Sequence, residues 1–233
     1  MAVVPGPSAF SLAAARLGWA LPDTVLVSLH GRDLDRIRPH LHPGARILAF
    51  TSDGDGPQAL AKLLTETGFG QSRLTVLEAL GGNHERIATS TAAAFNLDAI
   101  AALNTIAVEV IAQPGARLIA YTPGLANDLF EHDAQITKRE IRSMTLAALA
   151  PKRAELLWDV GAGSGSVAIE WMLADTSLKA IAVERSAERA PRIRRNAAAF
   201  GVPGLEVIEG AAPDALAGLA RPDAIFILSL IHI

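Results

Sequence analysis

The run Leu156-Leu157-Trp158-Asp159-Val160-Gly161-Ala162-Gly163-Ser164-Gly165-Ser166 constrains the fold more than any other stretch of the chain. Mostly apolar residues, too few for a helix, lead straight into glycines at 161, 163 and 165. That order predicts a buried parallel strand ending in a ligand-holding turn. Beyond it, Val167, Ala168, Trp171 and Met172 share one face at helical spacing. Strand, glycine turn and helix together predict a nucleotide-type binding unit with its ligand at the carboxyl end of the strand.

The spacing narrows the ligand. A dinucleotide fingerprint needs G-x-G-x-x-G, and Ser166 stands where its third glycine belongs. The pattern present, D-x-G-x-G-x-G from Asp159 to Gly165, resembles the S-adenosyl-L-methionine (AdoMet) turn of class I methyltransferases. Glycines let a backbone approach its ligand and adopt positive φ without steric penalty. AdoMet has no pyrophosphate, so the helix amides need not hold an anion. An acid closing the next strand, about 20 residues on, is then expected to take the ribose hydroxyls. The stretch Lys179-Ala180-Ile181-Ala182-Val183-Glu184 ends on such a residue, Glu184.

Size and composition bound the remaining options. At 233 residues, 50% hydrophobic and 19% charged, the chain can bury a sizeable core in one large or two small domains. The absence of cysteine excludes a disulfide framework, a thiolate nucleophile and a zinc–thiolate site. A net charge of −3 leaves no nucleic-acid footprint at whole-chain level. No apolar run reaches membrane-spanning length, and Met1-Ala2-Val3-Val4-Pro5 lacks the basic start of a signal peptide. The expectation is a cytoplasmic protein with neither nucleic-acid nor membrane partners.

Along the first segment, short strands alternate with helices. Helices are predicted from Ser8 to Leu17 with Ser8 as cap, from Asp33 to Leu41, and from Pro57 to Thr67 with Gly68 as stop. Strands are predicted at Thr24–Leu29, Arg46–Phe50, Leu74–Leu77 and Ile106–Ile111. The interval from Gly81 to Leu103 reads equally as hairpin or helix. Proline–glycine turns at Pro114-Gly115 and Pro123-Gly124 mark a linker, which places a boundary near residue 118.

In the second segment Thr137 and Glu140 have the spacing of a capping box. The helix they open would bury Ile141, Met144, Thr145, Ala148 and Leu149 and stop before Pro151. A helix from beyond Glu184 to Phe200 follows, with Pro191 unsettling its first turn. Strands at Leu205–Glu209 and Asp223–Ile227 flank a helix from Pro213 to Leu219. The resulting β-α-β-α-β-α-β order is the first half of a doubly wound sheet.

Three stretches carry a more specific resemblance: His132-Asp133-Ala134-Gln135-Ile136-Thr137-Lys138-Arg139-Glu140-Ile141-Arg142, Trp158 to Ser166, and Glu209-Gly210-Ala211-Ala212-Pro213-Asp214-Ala215-Leu216. In them the second segment resembles the decarboxylating C15-methyltransferase domain of precorrin-6B C5,15-methyltransferases, enzymes of cobalamin biosynthesis. The T-K-R-E-I-R element is the more specific part, since most class I methyltransferases lack it. Through Pro5-Gly6-Pro7-Ser8-Ala9-Phe10 and Ser28-Leu29-His30-Gly31-Arg32, the first segment resembles the later half of the partner tetrapyrrole methylase.

The resemblance implies an α/β chain: a partial tetrapyrrole-methylase domain over 1–117, then a partial class I, Rossmann-like methyltransferase domain over 118–227. It further implies truncation at both ends and an unrelated tail over 228–233. The implied activity is AdoMet-dependent methylation of precorrin-6B at C5 and C15, with decarboxylation of the C12 acetate. The partner is a small-molecule tetrapyrrole, and homo-oligomerisation stays open. By motif position, cofactor contacts fall on Thr137, Gly161, Ala162, Gly163, Ser164, Gly165, Glu184 and Ala212. No catalytic residue and no metal ligand is assigned, because methyl transfer from a sulfonium depends mainly on holding donor and acceptor in line. Two alternatives stay open: a class I methyltransferase of another small molecule, and a non-catalytic AdoMet-binding module.

Several residues carry two readings. Thr137 is an N-cap and also a candidate ligand contact. Lys138 and Arg142 are candidates for substrate carboxylates. Arg185, Arg189, Arg192, Arg194 and Arg195 read as the solvated face of a helix that buries Ala190, Ile193, Ala197 and Phe200. His40 and His42 lack a third metal ligand, and Asp53-Gly54-Asp55-Gly56 reads as a turn rather than a calcium loop.

Overall fold

The computed structural model describes residues 5–228. The tail expected over 228–233 therefore lies outside the described residues except for Leu228. The chain divides into two compact units, Met1–Leu118 and Ile119–Ile233.

Unit 1 is a five-stranded mixed sheet built from β1 (Thr24–Ser28), β2 (Arg46–Phe50), β3 (Arg73–Glu78), β4 (Arg86–Thr91) and β5 (Asn104–Glu109). Its order is β1-β2-β5-β3-β4; β1 and β2 are parallel, and every other pair is antiparallel. Alternation along the strands assigns the two faces. Ile47, Ala49, Leu74, Val76, Ile106 and Val108 pack under Leu60 and Leu64 of α2 (Gly56–Glu66). Leu48, Leu77 and Ala107 meet Ala13 and Ala14 of α1 (Ala9–Leu17) on the opposite face. Ser8 caps α1 by accepting from the Ser11 N–H at 3.1 Å.

The ambiguous interval from Gly81 to Leu103 contains β4, hairpin-paired to β3. An edge strand has one wet face, so Arg86-Ile87-Ala88-Thr89-Ser90-Thr91 can be polar and still pair. Arg86 meets the buried carboxylate of Glu78, which also accepts from the Ala101 N–H at 2.6 Å. The helix expected over Asp33–Leu41 is a 3-10 helix, Leu34–His40, with Pro39 inside it. Asp53 accepts from the Asp55 and Gly56 N–H groups at 3.0 Å, so the acidic turn serves the start of α2.

Unit 2 is a parallel sheet of β6 (Leu156–Val160), β7 (Lys179–Glu184), β8 (Glu206–Glu209) and β9 (Ala224–Ile227), ordered β8-β7-β6-β9. The order reverses at β6, where chain connections leave in opposite directions, and that crevice is where open α/β sheets bind ligands. Three helices accompany the sheet: α3 (Arg139–Leu149), α4 (Ser166–Ala174) and α5 (Arg189–Ala199). Their core joins Leu157, Ala180 and Ala182 of the sheet to Val167, Trp171, Ile193, Ala197 and Phe200. Pro191 falls in the first turn of α5, where its missing N–H has no helical partner to lose.

Four local expectations need correction. First, α3 does not bury its apolar stripe: Ile141 and Met144 are exposed, and Arg142 and Leu146 face inward. Second, the Thr137–Glu140 capping box does not form; α3 starts at Arg139 with Lys138 as an uncapped N-cap. Third, the connection expected to be helical over Pro213–Leu219 holds only a 3-10 turn, Asp214–Leu216. Fourth, α4 buries Ile169 and Glu170 as well as Val167, Ala168 and Trp171, because it is packed from more than one side.

One cause underlies the first two corrections. Arg142 is fully buried and its Nε donates to Glu170 Oε1 at 2.5 Å. Its Nη1 donates to the Thr137 carbonyl at 2.6 Å and to Asn127 Oδ1 at 3.3 Å, and its Nη2 donates to the Leu125 carbonyl. The guanidinium also lies 4.8 Å from the centroid of the Phe130 ring. Glu170 in turn accepts from the Gly124 and Leu125 N–H groups at 2.6 and 3.0 Å. Hydrophobic periodicity gives way because a buried guanidinium needs a full set of partners, and only this rotation of α3 supplies them. Arg142 is thus a clamp on the segment 124–137 and does not meet a substrate carboxylate. Replacing Glu170 by Gln should leave the Arg142 charge buried and uncompensated, lowering urea-unfolding stability by about 3–5 kcal/mol. The exposed Lys62–Glu66 pair provides the control, since Lys62→Ala should change stability by less than about 1 kcal/mol.

Candidate functional site

The site is built at the carboxyl ends of β6 and β7. Leaving β6, the chain turns through Gly161, Ala162, Gly163, Ser164 and Gly165, and the three glycines have φ of 78°, 60° and 75°. The Gly161 and Ala162 N–H groups both donate to the Val183 carbonyl, at 2.8 and 3.2 Å, which moors the turn to β7. The glycines serve different ends. A Cβ on Gly165 would stand 2.7 Å from Ile193 Cγ2, so this residue admits α5 against the turn. A Cβ on Gly163 would meet nothing nearer than the Gln135 carbonyl at 3.7 Å, so this residue keeps a side of the turn open.

Two carboxylates meet this turn. Glu184, buried at the end of β7, accepts from the Gly163 N–H at 2.8 Å through Oε2 and from the Ser186 N–H at 3.0 Å through Oε1. Each carboxylate oxygen has two lone pairs, so both retain accepting capacity for a ligand hydroxyl. Asp159 lies inside the motif, fully buried, and its Oδ2 accepts from the Ala168 N–H at 3.1 Å. Gly165 is the N-cap of α4 and has no side chain, so Asp159 supplies the capping oxygen from β6. Burial pushes the Asp159 carboxyl up from 3.8 to about 7, against the Ala168 hydrogen bond and with added repulsion from Glu184.

The segment between Gly124 and α3 reaches the same place as a strap. Gln135 brings its carbonyl toward Gly163, and buried Thr137 follows just before α3. Asp133 is bridged by Arg189 at 2.8 Å and Arg192 at 3.2 Å, both on α5. Burial alone would raise the Asp133 carboxyl, but these guanidiniums and the Gln135 N–H bring it down to about 2. The arginine run of α5 is therefore mostly engaged: Arg195 pairs with Glu131, and Arg194 donates to the Val207 carbonyl at 3.0 Å. Beyond β8, the Gly210 N–H donates to the Glu184 carbonyl at 3.0 Å, so the chain toward exposed Ala212 leaves from the same end of the sheet.

Of the eight residues singled out by motif position, Gly161 to Gly165 and Glu184 form one bonded unit. Thr137 comes in on the strap, and Ala212 follows two residues after Gly210 without direct bonding to the turn among the described residues. Sequence reasoning missed Asp159 as the cap of α4, the Gln135 carbonyl, and Asn196, whose amide joins the strap to Ser164. A lone acid within an apolar strand, and a lone amide between Ile193 and Ala197 on an inward face, were the signals for two of them.

Residues 1–96 match the family described as tetrapyrrole (corrin/porphyrin) methylases, and residues 128–229 match the precorrin methyltransferase domain. A precorrin-6Y C(5,15)-methyltransferase [decarboxylating] from a Sinorhizobium species is 63% identical over 224 residues, covering 96% of this chain and 54% of that protein. Along nearly its whole length the chain is similar to precorrin-6Y C5,15-methyltransferases. Another member, from Mycobacterium tuberculosis, is 44% identical over 230 residues, covering 97% of this chain and 56% of the relative. Among solved structures, the C-terminal domain of precorrin-6Y C5,15-methyltransferase from Rhodobacter capsulatus is 48% identical. It covers 47% of this chain and 59% of that one, with a TM-score of 0.45. The chain spans about half the length of the curated relatives it matches, 54% of the first and 56% of the second. No helix among its described residues is long and apolar enough to cross a membrane.

The raised Asp159 carboxyl makes the stability of unit 2 depend on pH. The folded state holds this proton more tightly than the unfolded chain, so its contribution is complete below about 4 and is lost as pH rises through about 7. The interval from 3.8 to about 7 corresponds to on the order of 4 kcal/mol. Asp159→Asn keeps an oxygen for the Ala168 N–H and removes the titration. The variant should gain stability relative to the parent between pH 4 and pH 8 in urea unfolding, and a constant difference would reject the assignment.

Proposed function

We propose that the chain takes part in AdoMet-dependent methylation of a corrinoid precursor, precorrin-6B, at C5 and C15, with loss of carbon dioxide from the C12 acetate. Unit 1 is read as the later half of a tetrapyrrole methylase and unit 2 as the first half of a class I methyltransferase, in which AdoMet lies at the glycine turn. The observation that carries the cofactor reading is the 2.8 Å bond from the Gly163 N–H to Glu184, which brings the acid of β7 into the turn of β6.

The residues fit such a cofactor. Ser164 Oγ is buried in the turn and has no hydrogen-bond partner among the described residues, so a ligand with polar edges would satisfy it. Gly163 leaves room where any side chain would intrude. Glu184 has accepting capacity for a ribose diol, and Thr137 and Ala212 would close the flanks of the site. When bound, AdoMet supplies a methyl group on a sulfonium. The protein's part is positional: the turn, Glu184 and the strap hold the donor at a fixed place, which is where most of the rate of such a transfer originates. Lys138, exposed beside Thr137, is suited to meet a carboxylate of the acidic macrocycle.

Calorimetry with AdoMet tests the cofactor: the parent should bind, and Glu184→Gln should weaken binding by about 1–3 kcal/mol. A folded parent that releases no heat rejects AdoMet. Incubation with precorrin-6B and AdoMet, followed by mass spectrometry, tests the substrate. A parent that binds AdoMet yet leaves the mass of precorrin-6B unchanged rejects that assignment.

A further inference from the structure

Asn196 is 2% exposed on the inner face of α5. Its amide engages two elements at once. Oδ1 accepts from the Glu131 N–H at 2.8 Å, and Nδ2 donates to the Glu131 carbonyl at 3.0 Å and to the Ser164 carbonyl at 2.9 Å. Both N–H groups are therefore spent, one on the strap and one on the glycine turn. Toward Glu131 the side chain acts as a neighbouring strand would, satisfying the backbone donor and acceptor together.

The other ties between α5 and this part of the strap are more exposed. Arg189 and Arg192, 26% and 19% exposed, hold Asp133 at 34%, Arg189 also donates to Gln135 Oε1 at 2.7 Å, and Arg195 and Glu131 are 56% and 55% exposed. The Arg195–Glu131 pair is exposed enough to be screened by salt and weakly held, while the Asp133 pairs are only partly screened. The Asn196 bond to the Ser164 carbonyl is buried, so breaking it would leave that carbonyl short of a partner away from water, while the two bonds to Glu131 are part-buried.

We propose that Asn196 is a positioning residue: it fixes the strap over 131–135 against the glycine turn, and so sets the affinity of unit 2 for AdoMet without touching it. The inference rests on the cofactor reading above, but its structural half does not. Without Asn196 the link between the strap and Ser164 is lost, and Gln135 is held near Gly163 by the outer contacts of Arg189 and Arg192 alone on the α5 side.

The test uses the whole chain carrying Asn196→Ala. Hydrogen exchange without ligand should accelerate about tenfold at the Glu131 amide while β6 and β7 stay within about twofold of the parent. The dissociation constant for AdoMet, measured by calorimetry well below the unfolding transition, should rise about tenfold. Asn196→Thr, close in volume and retaining one hydroxyl donor, should fall between parent and Ala in both readouts. It also serves as the test variant if the Ala variant does not fold. A lower urea midpoint with unchanged Glu131 exchange and unchanged AdoMet affinity would reduce Asn196 to a core residue and overturn the proposal. A parent chain that fails to bind AdoMet sinks the cofactor reading, while the ligand-free exchange still decides whether Asn196 holds the strap.

Discussion

Unit 2 depends on the burial of one ion pair, Arg142 with Glu170, at 0% and 2% side-chain exposure. Two charges withdrawn from water are tolerated only when their remaining hydrogen-bonding capacity is met, and the local chain path meets it. Gly124, Leu125, Asn127 and Thr137 lend backbone or side-chain groups to the pair. The segment preceding α3 consequently has a defined course across α4, although its regular structure amounts to one 3-10 turn, Asn127–Leu129. Because Gly165 is the N-cap of α4, the same pair connects the path of the strap to the helix that follows the glycine turn.

From that frame the site follows as a sequence of satisfied backbone groups. Val183 holds the first two amides of the turn, Glu184 holds the third, Asp159 caps the helix that follows, and Asn196 takes the Ser164 carbonyl. Three glycines make the path sterically open, but its course is set by side chains from three different elements. A turn defined in this way has its backbone groups already placed, which lowers the ordering cost of any binding there.

Much of the architecture was legible in the sequence because buried parallel strands consist of short apolar runs bounded by turn residues, and β2, β6 and β7 read plainly on that basis. The link between Glu184 and the glycine turn was equally readable from spacing. Where the reading failed, a tertiary demand outweighed a local pattern. Ile141 and Met144 looked like the core stripe of α3, but Arg142 had to turn inward to reach Glu170. The Thr137–Glu140 box yielded to the same demand, which takes the Thr137 carbonyl for Arg142. β4 stayed ambiguous because an edge strand needs no apolar alternation, and the stretch after Pro213 kept a helical look with little buried surface to sustain one.

The position of β9 bears on where the sheet of unit 2 can be extended. Among the described residues its hydrogen-bonding partner is β6 on one flank, and the sheet order places it at the end of the row. Ile225 and Ile227 on this strand are 50% and 49% exposed. Backbone groups in register beside half-wet isoleucines form a template for a second strand. Any further strand joining the sheet on that flank would be laid down parallel or antiparallel to β9 by the same main-chain groups and would cover Ile225 and Ile227.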